Sequence, residues 1–371
     1  MRSSIFSSDI YTRSRAIPAG AWLRPLAVSI VLLIAGILML ESALAGRGFR
    51  PNVVDSSQRW AQERKRASEL GHRALVLVGA SRALLDLDLT ALGEDSGRVP
   101  VQLGIDGNSY LPVLADIAAD DSVTGAVIVE YQDSALGDTA FDAQAQDFVR
   151  EARRERNLTV KFNFLAIEAT LASFRQRFMR SYADGAGPFV ALTTRAFSPR
   201  ATPQYLVTLP SRERSADYSL VSMPYTYYDR AARNAGFDDV ALRGAPRDVE
   251  SALSLRIRGL ASANFPDFKD NAARIATMVR RIEARGGEVV FVVFPRSGLV
   301  WEADAKRYPR ADFWDRFRME TGAKGVHYLD VPALTTFQCP DGSHLDKRDK
   351  VRFTHALTRA ISDDGWLRRS S

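Results

Sequence analysis

The sequence predicts an α/β protein, a three-layer α/β/α sandwich with a mainly parallel sheet that carries a helical insertion and follows one N-terminal transmembrane helix. Three observations predict it. Short, wholly apolar runs that end at or near glycine alternate with segments of helical period toward both ends of the chain, the rhythm of parallel strands joined by crossover helices. Between about 134 and 270 that rhythm is lost. Ahead of all of it lies one uncharged apolar stretch, too uniform to have the amphipathic face of a core helix.

That stretch, Leu26 to Leu40, reads LAVSIVLLIAGILML. Residues 41–45 bring it to the length that crosses about 30 Å of hydrocarbon at about 1.5 Å per residue. Glu41 interrupts it only near the far end. Arg2, Arg13, Arg15 and Arg24 precede it against a single acid, Asp9. The excess places residues 1–25 in the cytoplasm and everything after the span outside, in the bacterial periplasm. Ala43-Leu44-Ala45 also fits the pattern of a cleaved signal peptide. The long leader favours an uncleaved inner-membrane anchor over 26–45, and both readings give the same compartment.

Residues 46–71 are polar and read as a stalk plus a surface helix, anchored by Trp60 and Leu70. The domain proper is expected over 72–365. Ala74 to Val78, Val99 to Leu103, Ala126 to Val129, Val289 to Phe294 and Val326 to Leu329 read as strands. The longer runs are apolar throughout, as strands buried on both faces are. Helices are expected over Leu111 to Ala119, around Ile275, Met278, Val279 and Ile282 at i, i+3, i+4 and i+7, over Phe313 to Met319, and at Phe353, Leu357, Ala360 and Ile361. Within the insertion, Phe141 to Arg154 is helical and charged. Ala166 to Tyr182 puts Leu171, Phe174 and Phe178 on one face, with Arg175, Arg177 and Arg180 elsewhere. That apolar face is expected to pack on the sheet; the alternative is a helix lying on lipid headgroups. A stretch rich in tyrosine follows, with Tyr218, Tyr225, Tyr227 and Tyr228.

With 46% hydrophobic and 25% charged residues in 371, the chain can form a sizeable core. Its net charge of +6 favours an anionic surface or acidic polymer. There is no zinc-finger spacing, RNP-like aromatic motif or dense basic stripe, so nucleic acid is not an expected partner. Cys339 is the only cysteine, which excludes an intrachain disulfide, a redox pair and a Cys-based zinc site.

Two places carry chemistry. The first strand runs into Leu77-Val78-Gly79-Ala80-Ser81-Arg82, so Ser81 lies just past a buried parallel strand, at the edge where open α/β sheets bind ligands. Alone, this is also how a helix N-cap serine looks. Near the other end, Pro340-Asp341-Gly342-Ser343-His344-Leu345 sets an aspartate three residues before a histidine on a glycine-containing loop. Serine becomes a nucleophile when a base takes its proton. The histidine that does so needs an acceptor at its other nitrogen, and Asp341 can turn back to supply one. Arg296 leaves the same sheet edge after another apolar strand and is a candidate to bind an anionic substrate group. His72, His327 and His355 read as surface or packing residues, and with His344 they make no recognisable metal spacing.

Together, the Gly-x-Ser turn after the first strand and Asp-x-x-His-Leu before the last helix resemble the SGNH, or GDSL-like, hydrolases, and among them the membrane-anchored members that act in cell-envelope acyl transfer. The resemblance covers roughly 72–135 and 272–365 and leaves the insertion out. It implies Ser81 as nucleophile, His344 as general base and Asp341 as its orienter, with no metal or organic cofactor. It also implies an oxyanion hole made by the Ser81 backbone N–H, a glycine N–H after the second strand and an asparagine side chain after the third. In Leu103-Gly104-Ile105-Asp106-Gly107-Asn108, Gly107 matches that glycine better than Gly104. The third block departs from the pattern: Glu130-Tyr131-Gln132-Asp133 stands where Gly-x-Asn-Asp is expected. Gln132, or Asn108 from the neighbouring loop, is left to offer the amide. The first block likewise reads Gly-Ala-Ser rather than Gly-Asp-Ser. The activity implied is that of an ester hydrolase or O-acyltransferase acting on an acylated envelope polysaccharide through an acyl-serine. The altered block keeps a second class open, a catalytically weak relative that binds a glycan or scaffolds a membrane-bound acyltransferase.

Overall fold

The computed structural model describes residues 22–157, 164–237 and 246–367; the leader's charges other than Arg24 lie outside the described residues. Helix α1 (Leu23–Gly46) comes first, with a mean hydropathy of 2.4 over its most apolar window, long and apolar enough to cross a membrane. The chain then runs extended to α2 (Ser57–Leu70), where the Ser56 hydroxyl accepts the Arg59 N–H as a cap. Next come β1 (Ala74–Val78), α3 (Ser81–Leu85), α4 (Leu89–Ser96), β2 (Val99–Gln102), α5 (Leu111–Ala118), β3 (Ala126–Glu130) and α6 (Ala143–Asn157). The insertion holds α7 (Phe164–Phe178), α8 (Pro188–Ala191), β4 (Leu206–Thr208), β5 (Arg214–Ala216), α9 (Met223–Asn234) and α10 (Pro246–Arg258). The chain returns to the core through α11 (Phe268–Ala284), β6 (Glu288–Val293), α12 (Gly298–Arg307), α13 (Arg316–Thr321), β7 (Gly325–His327), α14 (Pro332–Thr335) and α15 (Lys350–Asp363).

Five strands form one parallel sheet in the order β2-β1-β3-β6-β7, and β4 pairs antiparallel with β5 apart from it. Every residue of β1 and β3 is buried, which is why these strands read as unbroken apolar runs. Helices α2, α5, α6, α11 and α13 pack together in one group, and α4, α14 and α15 in another. The strand order reverses at β1: the chain leaves β1 toward β2 on one side and comes back to β3 on the other. Such a reversal opens a crevice at the carboxyl ends of the two central strands. Ser81 follows β1 there, and Glu130 ends β3.

Three expectations change. Residues 47–56 are built into the domain instead of forming a stalk, and the expected helix with Trp60 as an anchor follows them as α2. Phe49, Val53 and Trp60 are buried, and Trp60 Nε1 donates to the Leu103 carbonyl at 2.9 Å. Arg64, fully buried, pairs with Asp116 at 2.6 Å and Asp120 at 2.8 Å; a charge at that depth is tolerable because both partners reach it. Helix α6 packs on α2 and α5, so the insertion begins after it. In α7, Leu171, Phe174 and Phe178 face outward, each more than half exposed, so the apolar face does not pack on the sheet.

Candidate active site

Strand β1 delivers the chain to Gly79, where a side chain has no room: a Cβ would overlap that of Glu130 and lie 2.8 Å from its Oε2. Ser81 opens α3 just beyond. The first N–H groups of a helix have no intrahelical acceptor, and Glu130, 1% exposed, meets two from this turn. Its Oε2 accepts from Ala80 N at 2.7 Å and Ala83 N at 2.9 Å. The Ser81 N–H has no acceptor among the described residues. Arg82 faces Glu130 Oε1 at 3.4 Å and donates to the Ser343 carbonyl at 3.2 Å and hydroxyl at 2.9 Å. One guanidinium thereby joins the serine turn, the end of β3 and the histidine loop.

His344 stands between Ser81 and Asp341. Its Nε2 is 2.8 Å from Ser81 Oγ and its Nδ1 is 2.8 Å from Asp341 Oδ2. The other Asp341 oxygen accepts the N–H groups of Ser343 at 2.9 Å and His344 at 2.8 Å, so the loop folds around its own carboxylate. Gly342 makes that possible with φ +82°, at a place where a Cβ would overlap Val300. Asp341 and His344 are each 1% exposed, and Ser81 is partly exposed. Burial pushes the Asp341 carboxyl up, but His344, the Ser343 N–H and Arg230 outweigh it and hold it well below the usual carboxylate range. An ionised aspartate behind a histidine that touches a serine hydroxyl can activate that hydroxyl for attack on a carbonyl.

The insertion covers this loop. Arg230 Nε lies 3.4 Å from Asp341 Oδ2. Burial, and then the Asp341 charge, push the Tyr218 hydroxyl up. Tyr227 accepts the Leu299 N–H at 2.6 Å and packs over Gly298 and Gly342. On the other side Asp86 accepts the Leu345 N–H at 2.9 Å, while its second oxygen has no partner among the described residues; burial raises its carboxyl well above the ordinary value. The sequence reading missed Arg82, Asp86, Tyr218 and Arg230. Their only trace was a tyrosine-rich stretch and two charged residues, one in the short helix that Ser81 opens and one at its end.

The other candidates are placed differently. The Gly104 N–H is taken by Gln102 Oε1 at 2.9 Å, whereas Gly107, with φ +68°, has open space beside it. Asn108 donates to the Asp106 carbonyl at 2.8 Å and Gln144 Oε1 at 2.9 Å, and accepts from Ala145 N at 3.1 Å; it anchors the start of α6. Gln132 Nε2 donates to the Asn108 carbonyl at 3.2 Å. Both amides are engaged with neighbours. Arg296, 7% exposed at its side chain, is turned inward, 2.9 Å from Asp304 and 3.8 Å from Asp133. Burial pushes Asp133 up to about 6 even though Arg296 pulls it down. In this structure Arg296 balances buried acids and is not open to a ligand. His327 is buried against Tyr328 and accepts the Leu329 N–H, His72 is exposed, and His355 meets Asp95. No protein-family model and no curated protein matches the chain.

Proposed function

We propose that the chain is a membrane-anchored SGNH-like ester hydrolase or O-acyltransferase that acts on an acylated cell-envelope polysaccharide through an acyl-serine. The observation that carries this reading is the Ser81–His344–Asp341 relay, with both links at 2.8 Å. Ser81 Oγ attacks the ester carbonyl as His344 Nε2 takes its proton. The oxyanion forms by the start of α3, where the Ser81 N–H is open and Gly107 offers a second N–H. Collapse of the intermediate expels the alcohol, which receives the proton from His344. Water then frees the serine in hydrolysis, and a sugar hydroxyl does so in transfer. The three-layer sandwich belongs to the same reading, with the two helix groups as its outer layers.

In this proposal α1 is an inner-membrane anchor and the domain after it is periplasmic, supported by α1's length and the arginines before it. A reporter active only in the periplasm, fused after Ser371, should be active; activity of a cytoplasm-only reporter at that site overturns the orientation.

A second reading, a weakly catalytic relative that binds a glycan or scaffolds a membrane-bound acyltransferase, is favoured by the Asn108 and Gln132 amides being engaged within the protein. Fluorophosphonate labelling of the purified full chain separates the two. Labelling of wild type but not of Ser81→Ala supports the enzyme; no labelling of either protein leaves the binding reading in its place.

A further inference from the structure

We infer that residues 180–201 of the insertion form a lipid-seated collar around the exit of α1, with Phe189, Val190 and Phe197 entering the edge of the bilayer. The inference rests on α1 being a retained span, as proposed above. Large side chains of α1 as far as Met39 face outward, apart from the half-buried Ile37, as a helix surrounded by lipid requires. From Leu40 onward one side is docked: Leu40 and Leu44 are buried with Phe49 and Ala191, and Leu192 and Ala196 pack against them. Counting about 20 residues from Arg24, at about 1.5 Å each, puts the far edge of the hydrocarbon near Leu44. The segment seated on Leu40 and Leu44 therefore lies at that edge as well.

Glu41 fits the same depth. A carboxylate there needs partners, and it accepts the N–H groups of Arg180 at 2.8 Å and Ser181 at 2.9 Å. Arg47 donates to the carbonyls of Ala196 and Ser198, both at 2.6 Å. The helix exit and the segment are thus bonded into one piece. On that piece Phe189 is 77% exposed, Phe197 75% and Val190 48%. Uncovered aromatic side chains beside a span suit the headgroup–acyl boundary. Arg50 and Arg200, exposed nearby in sequence, suit anionic headgroups. Helix α7 packs on the same segment and turns Phe174 and Phe178 outward, which gives its unpacked face an occupant.

The test uses the full chain in phosphatidylcholine bilayers containing phosphatidylglycerol. An environment-sensitive label is placed at Phe189→Cys, Phe197→Cys or, for reference, the exposed Met319→Cys on α13; the native Cys339 is buried. Interfacial segments reach about 5–10 Å into the boundary, so lipid nitroxides at that depth should remove most of the fluorescence at 189 and 197 and little at 319. Equal, weak quenching at all three positions overturns the collar. Quenching by a second, nitroxide-labelled copy in place of lipid also overturns it, making the face a contact between copies. Alkaline carbonate extraction distinguishes this failure from that of the reading beneath it. A chain released from the membrane lacks a retained span, whereas a chain that stays with unquenched labels has the span without the collar.

Discussion

At one corner of the sheet edge, Ser81, His344 and Asp341 meet with both links at 2.8 Å, and the spare oxygen of Asp341 is filled by backbone N–H groups of its own loop. At the neighbouring corner, past β2 and β3, the amides of Asn108 and Gln132 are filled as well, but by groups that hold those loops to each other and to α6. The same rule, that buried polar atoms find partners, yields a hydrogen-bonded serine–histidine–aspartate chain in one place and a scaffold in the other. The relay needs only one long-range meeting, because Asp341 and His344 are three residues apart. An oxyanion hole needs several loops to leave donors free together, and a donor is lost once a structural acceptor claims it. The two halves of a serine site can therefore diverge separately.

The largest effect expected falls on the relay. His344→Ala should lower turnover of an activated ester by about 10⁴–10⁶ while the far-UV spectrum stays that of the folded wild type. A loss of less than tenfold would remove the relay from the chemistry and erase the contrast. Arg296→Ala comes next, and its effect should be on stability: two acids stay buried without their cation, at a cost of about 3–5 kcal/mol in denaturant unfolding. An unchanged midpoint with a raised KM would return Arg296 to the substrate.

Asp86 gives a smaller effect with a defined sign. Its carboxyl is raised in the folded state, so the folded chain keeps a proton that the unfolded chain sheds. Stability then falls as pH climbs from the ordinary carboxyl range toward the raised value, by about 1.4 kcal/mol per unit. Asp86→Asn should lose that slope, so its unfolding free energy gains on wild type as pH rises above the ordinary carboxyl range; parallel curves would refute the buried proton. The smallest effects belong to the amides. Gln132→Ala should change turnover less than about tenfold, and Asn108→Ala should cost about 1 kcal/mol as a lost helix anchor. A fall of about 10²–10³ in rate for Gln132→Ala would mean that its amide turns to the oxyanion when substrate binds.

The sheet was legible in the sequence because strands buried on both faces have no alternative to apolar residues: β1, β3 and β6 lie within a residue or so of the runs that announced them. The meeting of Ser81 with Asp341 and His344 was legible because each lies beside a recognisable turn. What stayed hidden was mutual charge. Arg64 looks like surface in its own helix, and its acids Asp116 and Asp120 lie in and just after α5, some 50 residues further on. Arg296 looks open until Asp133 and Asp304 are brought to it. The outward phenylalanines of α7 follow a helical period and read as core, since periodicity shows that a face is apolar and not what covers it.

Glu130 carries a consequence for position 79. Its carboxylate fills the space that Gly79 leaves empty and binds the backbone of the serine turn. Gly79 and Glu130 are therefore coupled in space: a larger residue at 79 has room only with a smaller one at 130.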